Sequence, residues 1–244
     1  MLAQRYGTAP RRTWMTGISN SSYLTRWQLK KRPELYDGGF DWEGAVKNSQ
    51  GPNLFNYLST ALRDYPTSTV DPAARQGGSP AARQRLYDIG FEPGSESLWT
   101  NRCAAHWDLT QRTYREAFDP AYDAATRGGG TPFCQTGAAP GTRRPPTTQY
   151  DYASRRQAVK DALALISLTG RIDKPMITLH SDLDALLPIE TDSDVHTDLV
   201  AASVEGRSHC YYVVEDGKHV DGLVDAGPRS CVRSSSAIPR PSGA

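Results

Sequence analysis

Three residues of this chain have the types and the order needed to build a nucleophilic triad: Ser19, Asp184 and His219. Ser19 stands in Gly17-Ile18-Ser19-Asn20-Ser21, directly after a strand-like run (RRTWMTGI, residues 11–18) and before a helix-like one (SSYLTRWQLKK, residues 21–31). A sharp strand-to-helix turn lifts a serine side chain above the edge of a sheet, and small residues two positions to either side keep the turn free of clashes. The helix start lends partial positive charge to a developing oxyanion, with the Asn20 amide as one donor. Asp182 and Asp184 lie in the loop after the apolar run PMITL (residues 175–179). Acidic residues that serve a site belong at this carboxyl edge of a parallel sheet. Asp184, four residues after His180 and four before Pro188, is the first choice as the acid; Asp182 is the fallback. His219 closes Gly217-Lys218-His219, after the strand-like CYYVVED (residues 210–216). It would take the serine proton as a general base and be oriented by the aspartate.

Each element alone has a plainer reading: an ordinary βα turn, a solvated loop acid, a surface histidine. Their order decides, because Ser, then Asp, then His, each after a strand, is what hydrolytic chemistry on this kind of sheet requires. The other histidines fit the base worse. His106 falls in a helical stretch, His196 within a helix and His209 ahead of a strand, while His180 reads as a structural residue at a strand end.

The elements that must position these residues can be read in order. Residues 1–9 read as the end of a helix. The strand, turn and helix around Ser19 follow, with Tyr23, Leu24, Trp27 and Leu29 as the apolar face and Pro33 as the stop. A second short strand falls in YDGGFDWEGAV (residues 36–46), which completes a βαβ unit and implies a parallel sheet. Residues 47–150 read as a helical lid inserted into the sheet. Its helices lie in NLFNYLSTALRDY (53–65) and SLWTNRCAAHWDLTQRTYREAF (97–118), and its loops in RQGGSPAARQ (75–84) and RGGGTPFCQTGAAPGTRRPPTTQ (127–149), segments with the composition of local disorder. Trp99, Trp107, Tyr114 and Phe118 on these helices either line an acyl or aromatic pocket as substrate-binding residues or pack the lid against the sheet. From residue 151 the α/β pattern returns: a helix over 155–170 stopped by Gly170, a strand at 175–180, a helix over 191–206 capped by Thr191 or Asp192 and ended by Gly206, and a strand at 209–216. Residues 226–244 read as a disordered tail. The expected fold class is α/β, half of a parallel hydrolase sheet (residues 1–46 and 151–225) with the lid at 47–150.

Bulk properties narrow the function classes. The 244 residues allow one domain with an insertion, and 21 glycines with 17 prolines assign much of the length to loops. A balance of 28 basic against 27 acidic residues gives no support to a nucleic-acid partner. No apolar run reaches the length of a membrane span. MLAQRYGTAPRR lacks the apolar core of a signal peptide. Cys103, Cys134, Cys210 and Cys231 show no metal-site spacing, so no metal is expected, and they are open to either disulfide or free-thiol states.

GISNSSYLTRWQLKKRPELYDGGFDWEG (17–44), ITLHSDLDALLP (177–188) and YYVVEDGKHVDG (211–222), with weaker support from WDLTQRTYREAFDP (107–120), resemble the elbow, acid loop and histidine loop of the α/β-hydrolase superfamily. More narrowly they resemble its bacterial esterases related to tannases and feruloyl esterases, over residues 11–50 and 151–225. The resemblance implies Ser19 as nucleophile, Asp184 as acid and His219 as base in cleavage of a small-molecule carboxylic ester, with no metal or organic cofactor. Such enzymes have glycine where this chain has Ser21 and Ser181, and the tannase pattern has disulfide-bonded cysteines where it has Ile18 and Val220. The resemblance also implies strands ahead of Ser19 and a loop supplying a second oxyanion donor. The chain is therefore expected to be the C-terminal half of a longer esterase; related esterases are often exported, and the sequence itself leaves localisation open. The alternative is an inactive remnant or interaction module that keeps the triad residues.

Overall fold

The computed structural model describes residues 2–68, 79–102, 106–122, 150–203, 208–220 and 238–239. A short helix α1 (Leu2–Tyr6) precedes strand β1 (Trp14–Ile18), helix α2 (Asn20–Lys31) and strand β2 (Gly38–Trp42). Helices α3 (Leu54–Ser68), α4 (Pro80–Tyr87), α5 (Glu96–Arg102), α6 (Asp108–Phe118) and α7 (Gln157–Ile166) follow before the chain returns to the sheet as β3 (Met176–Ser181). Helix α8 (Ser193–Ala201) then leads to β4 (His209–Val214). The strands run β1-β2-β3-β4 in parallel, in the register Thr16–Phe40–Ile177–Cys210, as the βαβ reading requires.

Pleating divides the strand residues between two faces. Helices α2 and α8 lie on the face that presents Gly39, Asp41, Thr178 and Tyr211. Leu29 of α2 packs with Ile172, Met176 and Val200 there. Gly39 has no side chain because Leu29 occupies the space: a Cβ would meet Leu29 Cδ1 at 2.6 Å. On the opposite face Phe40, Trp42 and Leu179 are half-buried and Ile177 is exposed.

Between helix and sheet on the covered face sits a charge pair without solvent contact. Arg26 donates to both carboxylate oxygens of Asp41, at 3.0 and 3.2 Å, and both side chains are fully buried. Two further guanidinium hydrogens go to the Gly44 carbonyl (3.0 Å) and Ser193 Oγ (2.8 Å). One side chain thus ties α2 to β2, to the loop beyond β2 and to the start of α8.

The helices between β2 and β3 build their own apolar core. Phe55, Leu58, Leu62, Leu98, Trp99 and Trp107 pack together and meet Ala185, Leu186 and Leu187 of the loop after β3. Several features differ from the sequence reading: Leu24, expected on the apolar face of α2, is exposed, and α8 ends at Ala201 rather than Gly206. Residues 80–87 form α4 where a loop is expected, because Ser79 Oγ accepts from the Ala82 amide (3.3 Å) and Pro80 occupies the first turn. Helix α7 ends at Ile166 rather than Gly170. Ser167 is extended, and its hydroxyl donates to Leu163 O and accepts from Ser49 N, both at 3.0 Å. Within the expected tail, Ile238–Pro239 forms a short strand β5, antiparallel to β4. The rest of that tail, the 127–149 loop, Gly206, Cys103, Cys134 and Cys231 lie outside the described residues. Cys210 is a free, exposed thiol.

Removing Arg26 strands a buried carboxylate. Arg26→Ala should destabilise the fold by about 3–5 kcal/mol, and Arg26→Met with Asp41→Leu should recover much of that loss. Urea unfolding of the two variants measures the difference; equal losses would show that the pair is not the source.

Candidate active site

Gly17 makes the turn after β1 possible. A Cβ at that position would lie 2.3 Å from the Ser21 backbone, so the helix can begin this close to the strand only with glycine there. Ser21, where glycine was expected, is accommodated for the same reason. The next residue but one carries the strain: Ser19 has φ 59° and ψ −123°, a backbone conformation that side-chain-bearing residues rarely adopt. Hydrogen bonds to the end of β2 hold it there. Ser19 N donates to Trp42 O at 3.0 Å. Ser22 Oγ lies 2.8 Å from Gly17 O and 2.5 Å from Trp42 O, and accepts from Trp42 N at 2.9 Å.

Asp184 and His219 are brought into contact from consecutive strand ends. His219 Nδ1 and Asp184 Oδ2 are 2.6 Å apart, with both side chains buried. The other carboxylate oxygen, Oδ1, accepts from the amides of Leu186 (2.8 Å) and Leu187 (3.0 Å). Burial would raise this acid, but His219 and His180 together hold it well below the usual carboxylate range. Asp182 has no such partner. Burial and the nearby Asp216 push it up to about 6. Of the two candidate acids, Asp184 is therefore the one in contact with His219.

Ser19 is not joined to this pair: among the described residues no hydrogen bond links it to His219. Ser19 lines a cleft of about 290 Å³ with Asn20, Ala45, Leu54, Tyr114 and Leu187. His219 lines another, of about 520 Å³, with Ile18, Trp42, Glu43, Lys218 and Val220. Asn20 opens α2, where backbone N–H groups lack helical acceptors. Its side chain is fixed by Tyr114 Oη (2.7 Å) and Lys47 Nζ (3.3 Å). Of the four aromatic residues offered as pocket lining, Trp99, Trp107, Tyr114 and Phe118, only Tyr114 lines the Ser19 cleft. Trp99 and Trp107 are core residues, and their indole N–H groups donate to Ser95 Oγ (2.9 Å) and Ala185 O (2.8 Å).

The sequence reading has no place for Lys47 and Glu43, two neighbours of the site, and gives a third, His180, a structural place at a strand end. Lys47 is buried with its ammonium about 4 Å from the ring centroids of Tyr23 (4.1 Å) and Tyr114 (4.0 Å), and burial lowers it to about 8. His180 is fully buried, with Nδ1 2.6 Å from Ser193 Oγ and Nε2 2.9 Å from Leu187 O. Burial opposes its charge, but Glu43 and Asp184 outweigh that and hold it up to about 9. Glu43, just beyond β2, is buried beside all of these. A charged residue at the carboxyl edge of a parallel strand was the available signal. Glu43, Asp184 and His219 offer ligand atoms within 4.8 Å of one another, a spacing that a metal ion could use. Here those atoms are committed to protein partners: His219 to Asp184, and Glu43 to Ser181.

No protein-family model matches the sequence, and no curated protein does. Solved structures similar to the chain include an acylaminoacyl peptidase from Pyrococcus horikoshii (15% identity, TM-score 0.38, 93% of this chain and 23% of that one). They also include feruloyl esterase B from Aspergillus oryzae (16%, 0.41, 85% and 52%) and homoserine O-acetyltransferase from Bacillus anthracis (12%, 0.38, 92% and 59%). The chain spans less than a quarter of the peptidase's length. At these identities and TM-scores the similarity assigns no activity, and the chemistry is read from the site.

The strain at Ser19 is measurable. Relief of a positive φ is worth on the order of 1 kcal/mol, so Ser19→Gly should be more stable than Ser19→Ala by about that amount. Thermal unfolding of both variants checks this; a less stable glycine variant would contradict the strained turn.

Proposed function

We propose that this chain carries a serine hydrolase site that cleaves carboxylic esters. The observation that carries the reading is the 2.6 Å contact between buried His219 and Asp184 at the ends of neighbouring parallel strands. A serine in a strained strand-to-helix turn stands on the same sheet edge. His219 Nδ1–H donates to Asp184, which leaves Nε2 as the basic nitrogen. Ser19 Oγ attacks the ester carbonyl carbon and its proton passes to Nε2, while the carbonyl electron pair moves to oxygen. The start of α2, with the Asn20 amide, offers donors to that oxyanion. Collapse expels the alcohol, which takes the proton from His219, and water then cleaves the acyl-enzyme by the same steps. The reading requires Ser19 and His219 to close on each other when substrate binds, as catalytic hydrogen bonds often do. The small cleft beside Ser19, walled by Ala45, Leu54, Leu186 and Leu187, suits a short acyl group.

Kinship with the esterases related to tannases and feruloyl esterases is part of the proposal. In the tannase pattern a disulfide joins the positions held here by Ile18 and Val220, which line one cleft without a thiol between them, so the kinship proposed is with the wider esterase group and not with true tannases. A second reading, an inactive remnant or interaction module, is favoured by the separation of Ser19 and His219 into different clefts.

Nitrophenyl acetate hydrolysis separates the two readings and tests the acid. Asp184→Asn should lower turnover by about 10⁴-fold through the wrong imidazole tautomer, whereas Asp182→Asn should change it little. No turnover by the unaltered chain would favour the remnant; equal effects of the two substitutions would remove Asp184 from its role.

A further inference from the structure

Glu43, like Lys47 and His180, is a buried ionisable side chain near the site that the proposed reaction does not use. It sits immediately beyond β2, one residue after the Trp42 carbonyl that anchors the Ser19 turn. Its own backbone is held at a φ of 53°, with its amide donating to Leu179 O at 3.0 Å. A long acidic residue in a left-handed conformation, 3% exposed, is costly unless its carboxyl has a defined task.

The partners of that carboxyl are specific. Ser181 donates to it twice: the hydroxyl to Oε1 at 2.5 Å, and the amide, shared, to Oε1 at 3.1 Å and Oε2 at 3.2 Å. The Ser181 hydroxyl is confined from its other side by Gly217, where a Cβ would come within 2.5 Å of it. Oε2 lies 3.4 Å from His180 Nε2, whose hydrogen goes to Leu187 O at 2.9 Å. A carboxylate oxygen of Asp184 and a ring nitrogen of His219 complete the cluster, each within 4.8 Å of a Glu43 oxygen. Among the described residues, the charged groups facing Glu43 are His180 and Asp184 from β3 and its loop, Lys218 and His219 from the loop after β4, and Arg102 from α5. Two buried carboxyls with oxygens within 4.8 Å of each other cannot both be ionised cheaply, and a shared proton removes the repulsion.

We propose that Glu43 is a positioning residue for the Asp184–His219 pair: its carboxyl, fixed by Ser181, donates a proton to Asp184 and so holds the carboxylate that orients His219. The assignment rests on the triad proposed above. Asp184 is already bound on Oδ1 by the Leu186 and Leu187 amides and on Oδ2 by His219. The Glu43 proton adds a donor from another side, which leaves the carboxylate little freedom to rotate away from the imidazole. The serine at position 181, where the resembling esterases have glycine, acquires a role as the group that aims Glu43.

The arrangement makes the site sensitive to alkaline pH. Burial, with the Asp184 charge adding to it, pushes the Glu43 carboxyl up to about 8. Below that pH Glu43 is neutral and donates. Above it, the donor is lost and a second negative charge appears beside Asp184 and the imidazole it orients. The two groups then titrate as a coupled set.

NMR of the full chain tests this without relying on turnover. With glutamate side chains ¹³C-labelled, one carboxyl should remain protonated at neutral pH and titrate near pH 8, and the His219 ring signals should move in the same step. In Glu43→Gln, whose amide can make the same two hydrogen bonds, the carboxyl signal and the His219 step should both vanish, and turnover should fall less than in Glu43→Ala. Ionisation of every glutamate at neutral pH in the unaltered chain would overturn the proposal even if the variants fail to fold. An unchanged His219 step in Glu43→Gln would overturn it too. Labelling of Ser19 by a fluorophosphonate on the same samples reports on the triad separately: unlabelled Ser19 with the coupled step present defeats the hydrolase reading and leaves the Glu43–Asp184–His219 coupling standing.

Discussion

A carboxylate taken wholly out of water must be matched by donors around it, and Asp184 is the residue on which that demand falls. It is 2% exposed, and two backbone amides, His219 and the ring of His180 surround it. Much of the local structure follows from this requirement. The loop after β3 must curl so that Leu186 and Leu187 turn their amides onto the acid, and the Leu187 carbonyl then receives His180. The same curl places Ala185 where Trp107 donates to its carbonyl and lets Leu186 and Leu187 seal the core of the inserted helices. The acid loop is thus the joint between sheet and insertion, and substitutions in the helices could disturb the site through it.

The second joint is the end of β2. The Trp42 carbonyl receives the Ser19 amide, Arg26 reaches past it to Gly44, and the Val46 amide donates to Asp192 Oδ1 at 2.6 Å. The chain leaving β2 is therefore pinned to the Ser19 turn on one side and to the start of α8 on the other. Arg26 and His180 share Ser193 Oγ as a partner, so the buried ion pair under the sheet and the polar cluster above the acid form one network. In a low-dielectric interior such a network fixes geometry more than it adds net stability.

The fold class was legible because its signals are local. A strand-like run, a small-residue turn and an amphipathic helix before Pro33 specify a βαβ unit, and the parallel pairing of β1 with β2 follows from it. The loop positions of Asp184 and His219 could be read the same way, and so could the preference for Asp184 over Asp182 from its spacing to Pro188. What could not be read depends on chain segments far apart. Glu43 meets Ser181 across 138 residues, and Lys47 meets Tyr114 across 67. Trp99 and Trp107 carry the same sequence signal as Tyr114; only packing separates the two core indoles from the phenol at the cleft. The end of α7 was misplaced because glycine at 170 looks like a helix stop, whereas its φ of 72° answers to close contact with the Leu199 backbone.

The central claim is that Ser19 is an activated nucleophile served by the Asp184–His219 pair. Peptide-level mass spectrometry after reaction of the unaltered chain with a fluorophosphonate tests it most directly. The account predicts one covalent adduct, on Ser19, formed far more slowly when His219 is replaced by alanine. An adduct on a different serine, or none at all on the folded protein, would contradict it.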